Sequence, residues 1–227
     1  TWSAVQAKRY RALDLPTTIG TVEENTDAQY TQNNFAWYEN RDDATPDTRY
    51  DLGETEAAEG ENVTGGGAVN PGDELRLRIN LGASNGTGTI GSSAFALQYT
   101  EAANPEQCSM VADSAWVTVP GAGSTTAAFT GFDNGSVSDG STLPSTLLSD
   151  STVAASYEEE NLSASLPNQV NDGDAVEFDW VVTAEAPATN SNYCFRMVRS
   201  GEQPLFDYTI FPAVETAGPP GVPTTFT

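Results

Sequence analysis

PGDELRLRINLGAS, residues 71–84, decides how the fold reads. Pro71-Gly72-Asp73 makes a turn, after which Leu75, Leu77, Ile79 and Leu81 alternate with Arg76, Arg78 and Asn80. A hydrophobic period of two is the mark of a strand with one face in a core. The stretch therefore predicts a half-buried antiparallel strand, its aliphatic side inward and a cationic stripe outward.

The same period recurs along the chain. NNFAWYEN (33–40) sets Phe35 and Trp37 against Ala36 and Tyr38, and SAFALQYTEA (93–102) aligns Phe95, Leu97 and Tyr99. SAWVTVPGAG (114–123) adds a shorter strand. In VNDGDAVEFDWVVTA (170–184) a turn at Asn171-Asp172-Gly173 leads into Val176, Phe178 and Trp180, alternating with Glu177 and Asp179. SNYCFRMVRSGEQPLFDYTIFPAV (191–214) reads as a hairpin: Tyr193, Phe195 and Met197 inward, a turn at Ser200-Gly201, and a return over 205–211. The acidic stretch 41–67 is too rich in breakers for a long helix, and 120–156 reads as long loops with one helical turn. Six or so short strands without an amphipathic helix after residue 30 predict an all-β chain. The expected architecture is an antiparallel β-sandwich, Ig-like or jelly-roll-like. Its expected divisions are an N-terminal arm at 1–29, the sandwich at 30–214 and a Pro/Gly-rich tail at 215–227. No internal repeat stands out at periods of 20–50 residues.

Charge is segregated. Residues 1–13, TWSAVQAKRYRAL, carry Lys8, Arg9 and Arg11 and no acid, a charge of +3. The remaining 214 residues carry 32 acids and six bases, −26, and the two parts sum to the net −23. Such a body repels nucleic acid and anionic membrane surfaces. No apolar run approaches the ~20 residues of a membrane helix. A chain that opens on Thr1 reads as a mature or excised product. A cationic arm ahead of an anionic body suits self-association, with the arm of one copy on the body of the next. The plainer alternative is a solvated tail, or an arm lying on its own body. Trp2, Val5, Tyr10, Leu13 and Leu15 are the candidate apolar contacts of such docking, and Lys8, Arg9 and Arg11 the ionic ones. Tryptophan is enriched at interface hot spots, and Trp2 lies outside the sandwich.

Cys108 and Cys194 are the whole thiol inventory. An even pair with no histidine in the chain and no CxxC spacing suits a disulfide better than zinc, with two buried free thiols as the alternative. A disulfide implies an oxidising, extracellular setting. Absence of histidine excludes Ser–His and Cys–His nucleophiles. A carboxylate pair can hydrolyse glycosides, and Glu158-Glu159-Glu160 is the densest acidic run, but such a run is ordinarily a solvated face. The expectation is a protein that is not an enzyme and requires no cofactor. Calcium is admitted at Asp42, Asp43 and Asp47, at Asp133 and Asp139, and at Asp172 and Asp174, although Asp and Asn favour turns for backbone reasons alone. Sequons stand at Asn62, Asn85, Asn134 and Asn161, about as many as chance supplies.

Taken together, NNFAWYENRDDATP (33–46), ELRLRINL (74–81), SAFALQYTEA (93–102), YEEEN (157–161), VEFDWVV (176–182) and NYCFRMVRS (192–200) resemble a β-sandwich module of secreted bacterial cell-surface proteins. The resemblance spans about 33–212 and implies a fold and a cell-surface location, with no catalytic residues. It leaves the first 30 residues uncovered. The functional expectation is a structural subunit of an extracellular filament, pilus-like fibre or surface layer, a homopolymer built by arm docking or strand donation. The alternative is a monomeric cell-surface module that binds glycan or protein, with calcium as an optional ligand.

Overall fold

The computed structural model describes residues 28–41, 43–65, 68–88, 94–135, 137–159, 163–166 and 169–218. Within them the chain is almost entirely strand and loop. Its strands are β1 (Gln29–Glu39), β2 (Glu74–Ser84), β3 (Ala94–Ala102), β4 (Val117–Thr118), β5 (Phe129–Gly131) and β6 (Ser141–Thr142). They continue with β7 (Val153–Glu158), β8 (Ser163–Ser165), β9 (Ala175–Ala184), β10 (Asn192–Arg199), β11 (Asp207–Tyr208) and β12 (Ala213–Glu215). One sheet runs β11-β1-β2-β9-β7-β6, with β5 also on β9; the other runs β12-β10-β3-β4, with β8 also on β3. This is an all-β sandwich. The strands beyond the six expected ones are mostly two- or three-residue edge pieces, too short to carry a period.

The inward faces are those the alternation predicts. Leu75, Leu77, Ile79 and Leu81 of β2 and Val176, Phe178, Trp180 and Val182 of β9 meet Phe95 and Leu97 of β3 and Tyr193, Phe195 and Met197 of β10 in one cluster. Each large side chain so buried contributes roughly 1.5–3 kcal/mol. Edge-to-face ring pairs, Trp37 on Phe195 at 5.4 Å and Phe129 on Phe195 at 4.9 Å, fix how the layers mesh.

β2 and β9 are neighbours through a local twofold. Each is led by an Asn-x-Gly-Asp turn. Asp73 accepts from the Asn70 amide N–H (2.7 Å) and Asp174 from that of Asn171 (2.8 Å). Gly72 and Gly173 take φ of 96° and 88°, which glycine adopts freely. Each turn bonds to the end of the other strand: Gly72 N–H to Ala184 C=O and Gly173 N–H to Ala83 C=O. Arg78 and Asp179 face each other across the centre of the pair.

Open edges are short and the long ones are capped. β1 carbonyls at Phe35 and Trp37 accept from the Gly60 and Tyr50 amides, and those at Tyr30 and Gln32 from Phe206 and Thr209. Along β10, β12 pairs with the first residues, the Phe195 amide donates to Pro212 C=O, and the Met197 amide donates to the buried Gln32 side chain. Such capping suppresses edge-to-edge pairing.

Two expectations need correction. The stretch 205–211 does not return along β10. Only Arg199 and Gln203 bridge there, and the chain crosses to the other sheet, where β11 pairs parallel with β1. Pro204, which has no N–H to donate, stands where the return strand would begin. Second, the helical turn expected within 120–156 is not found among its described residues; 3₁₀ turns stand instead at Pro105–Met110 and Asp113–Ala115. At the C-terminal end, Ala217 still bonds to Val69 and to Asn190, a few residues beyond the expected limit at 214.

Candidate functional site

The outward face of the larger sheet holds the main surprise. Arg76, Arg78, Asn80, Glu177 and Asp179, expected on a wet face, are all fully buried. Arg41 and Asp43 on one side and residues 145–151 on the other lie over them. Asp179 takes both oxygens to Arg76 Nε (3.0 and 2.9 Å) and contacts Arg76 Nη2 and Arg78 Nε at 2.7 Å each. Glu177 accepts from Arg78 Nη1 (2.6 Å) and from the Leu147 and Leu148 amides. The arginines hold the covering loops in turn: Arg76 Nη1 donates to Asp43 C=O (2.6 Å) and Arg78 Nη1 to Ser145 C=O (3.2 Å). Burial alone would pull the Arg76 guanidinium down, but the Asp179 carboxylate more than restores it. Two cations and two anions balance, so the layer is neutral. Its work is to seat loops on a sheet.

The smaller sheet is covered by a different device. Cys108 and Cys194 form the disulfide, with Cα atoms 5.7 Å apart, clipping the 3₁₀ turn onto β10. Beside it the Arg196 guanidinium lies 4.4 Å over the Trp116 ring, ion-pairs with Asp113 (2.7 Å) and donates from Nε to Gln98 Oε1 (3.0 Å). Trp116 is therefore buried in packing.

The acidic run at 158–160 is also misread by its sequence. Glu158 and Glu159 are both buried; Glu160 lies outside the described residues. A bulge in β7 between Ala154 and Tyr157 resets the register so that Glu158 falls opposite Trp180. Ser156 Oγ donates to Glu158, and Glu159 accepts from the Asn134 amide and the Tyr157 hydroxyl. Burial pushes the Glu158 carboxyl up to about 8, the Ser156 hydrogen bond opposing and Asp139 adding to the rise. Glu159 is raised as well, first by burial. An unfolded Glu158 ionises near its ordinary 4.5. The fold therefore holds an extra proton between those values, and stability should fall as pH rises from about 5 to 8, on the order of 1 kcal/mol or more. Urea midpoints at both pH values test this. Glu158→Gln should remove most of the slope, and an unchanged slope would show that Glu158 titrates normally.

The calcium candidates serve turns. Asp133 accepts from the Gly135 amide, Asp139 from the Glu159 amide, Asp172 from the Asn85 amide, and Asp174 from Asn171. Asp43 lies 3.4 Å from Arg76 Nη1, Asp47 lies 3.9 Å from Arg41 Nη1, and Asp42 falls outside the described residues. Among the described residues no three carboxylates or cysteines assemble as a metal site. Of the sequons, Asn85 is exposed at a turn. Asn62 accepts from the Ala213 amide, Asn134 donates its side-chain amide to Asn40 and to Tyr157, and Asn161 is outside the described residues. Trp2, Val5, Lys8, Arg9, Tyr10, Arg11, Leu13 and Leu15 lie outside them too. No described helix is long and apolar enough to cross a membrane.

The body's own bases are largely consumed inside it. Arg76, Arg78 and Arg196 are buried against acids, Arg49 lies over Tyr38 near Glu59, and Arg41 pairs with Glu39. Three bases and four acids are buried among the described residues, so the exterior keeps nearly the whole acidic excess with few cations set among it. Glu39, Tyr50, Asp51, Asp73 and Glu74 line one shallow groove, and Glu54 and Glu56 border an adjoining one. Burial, then Asp73, Glu39 and Asp51, pushes the Tyr50 hydroxyl up to about 12.

No protein-family model matches this chain, and no curated protein matches it.

Proposed function

We propose that the chain is a structural subunit of an extracellular assembly, a filament, pilus-like fibre or surface layer, in which the N-terminal arm of one copy docks on the body of the next. The observation that carries this reading is the separation of charge. Most body cations are spent in internal pairs, the exterior is left anionic, and the sequence sets three further cations together at Lys8, Arg9 and Arg11. The disulfide and the capped edges support a rigid, oxidised unit suited to life outside the cell. Capping also bears on the manner of docking. With β1 and β10 already hydrogen-bonded, a donated strand would have only short edges such as β4 and β6 to extend, so binding on a face or in a crevice is favoured over strand completion. A head-to-tail contact of this kind propagates.

Deleting residues 1–20 tests the reading by sedimentation velocity. The whole chain should form assemblies that shrink in about 0.5 M salt, where the Debye length is only a few ångströms, and the truncated chain should run as a folded monomer. A whole chain that is monomeric in dilute solution overturns it. One observation favours the second reading, a monomeric surface module that binds protein or glycan: Met110 and Phe206 are 78% and 66% exposed. Glycan binding retained by the monomeric truncated chain would support that module.

A further inference from the structure

A crevice opens where the edge of one sheet meets the edge of the other, between β6 and β7 on one side and β8 on the other. Ala155 and Leu166 are its apolar floor, Thr142 and Ser165 stand at its exposed mouth, and Ser156 and Glu158 form a wall. Glu158 is 2% exposed. One of its oxygens accepts from Ser156 Oγ, and the other has no donor among the described residues. Among the described residues the charge acting on it is that of Asp139, of the same sign. A buried carboxylate facing open space with an acid for a neighbour is incomplete: it needs a proton or a cation.

The chain's cations can be counted against that need. Six of nine bases lie in the body, and none of them acts on Glu158. The neighbouring residues outside the description, 160–162 and 167–168, contain no base. Lys8, Arg9 and Arg11 remain. The donor requirement separates them. A guanidinium presents a planar fork that wants both oxygens of a carboxylate, and Ser156 already takes one. An ammonium is a compact point charge with three donors. One can reach the open Glu158 oxygen while the others meet hydroxyls such as those of Thr142 and Ser165.

We propose that this crevice is the receptor for the Lys8 ammonium of a second copy of the chain. The assignment rests on the arm-docking reading and gives it an address. Burial disfavours an unpaired carboxylate there, so an entering ammonium must displace the carboxyl's proton to solvent before it pairs with the carboxylate.

Lys8 is the chain's single lysine, which makes the contact readable by chemistry. A carbodiimide condenses a carboxylate and an amine in contact into an amide, the water lost being taken up by the reagent. Equal amounts of unlabelled and ¹⁵N-labelled whole chain are mixed, treated and digested, and the joined peptides are identified by mass. The expected result is Lys8 joined to Glu158 in mixed heavy–light pairs, with the pair lost in Glu158→Gln. Lys8–Glu158 pairs that are wholly heavy or wholly light place the arm on its own body and overturn docking between copies. Lys8 joined elsewhere, or unjoined, while sedimentation still shows arm-dependent assembly overturns the crevice and leaves the subunit reading standing. The wild-type map decides between these outcomes even if Glu158→Gln folds poorly.

Discussion

Replacing Asp179 by leucine should destabilise the domain by about 3–5 kcal/mol, enough to unfold a protein of ordinary stability. Asp179 is the shared partner of Arg76 and Arg78, and all three are fully buried. Removing it leaves two guanidinium groups facing each other in a low-dielectric layer with one acid, Glu177, to balance them. The covering loops are attached to the same arginines through Asp43 and Ser145, so they should loosen with the sheet. Arg78→Met combined with Asp179→Leu should be markedly more stable than Asp179→Leu alone. The double variant keeps one cation, Arg76, with the Asp43 carbonyl, and one anion, Glu177, with the Leu147 and Leu148 amides. Buried pairs are costly to break and cheap to replace as a whole. Urea unfolding of the single and double variants at pH 7 gives the coupling. If Asp179→Leu costs under about 1 kcal/mol, the layer is wet and the loops do not seal it.

What the sequence makes legible here follows from distance along the chain. Alternation within β2, β3, β9 and β10 is local, so the inward residues are read correctly, as are the two turns that begin β2 and β9. The opposite face of β2 and β9 is misread for the same reason. Arg76, Arg78, Glu177 and Asp179 at alternate positions look like any solvated stripe. Their meaning lies in complementary sign across a register that joins residues about a hundred positions apart, such as Arg78 and Asp179. The repeated Asn-x-Gly-Asp turn was the available clue that the two strands are equivalent and adjacent. Glu158 and Glu159 escape for another cause. Glu158 ends β7 in the crevice beside β8, while Glu159, just past the strand, meets Asn134, Tyr157 and Asp139, so consecutive acids are buried by different partners. The disulfide was readable from composition. The expected return of 205–211 failed because the hydrophobic pattern is the same in a strand that comes back and one that crosses over, and the local sign against it was Pro204 alone.

The consumption of the body's arginines turns a charge count into a structural argument. A chain with nine bases would ordinarily scatter them over its surface among the acids. Here the buried layer and the Arg196 stack take three, and Arg49 and Arg41 are held by local acids. An exterior so depleted of positive charge repels its own copies at long range. In the proposed docking the arm's three cations offset that repulsion, and association should then be steeply salt-dependent.

Removing the disulfide by Cys108→Ala with Cys194→Ala should cost about 4 kcal/mol, because the bond closes a long loop in the unfolded chain. Its sequence separation is 86 residues. That loop leaves the smaller sheet at Cys108, takes in β5, β6, β7 and β9 of the larger sheet and returns to β10, so cutting it frees nearly half of the domain's chain in the unfolded state. The native state loses less: Trp116, Phe211 and Ala213 still pack around the site, and Arg196 still pairs with Asp113 across it. Two measurements separate the accounts. Global urea stability should drop by the stated amount, while amide exchange in 104–116 should quicken only modestly below the global limit. A large quickening of 104–116 with an unchanged global midpoint would mean that the bond merely pins a surface turn. Losing arm-dependent assembly at the same time would tie that turn to the subunit contact, which the crevice between β7 and β8 does not require.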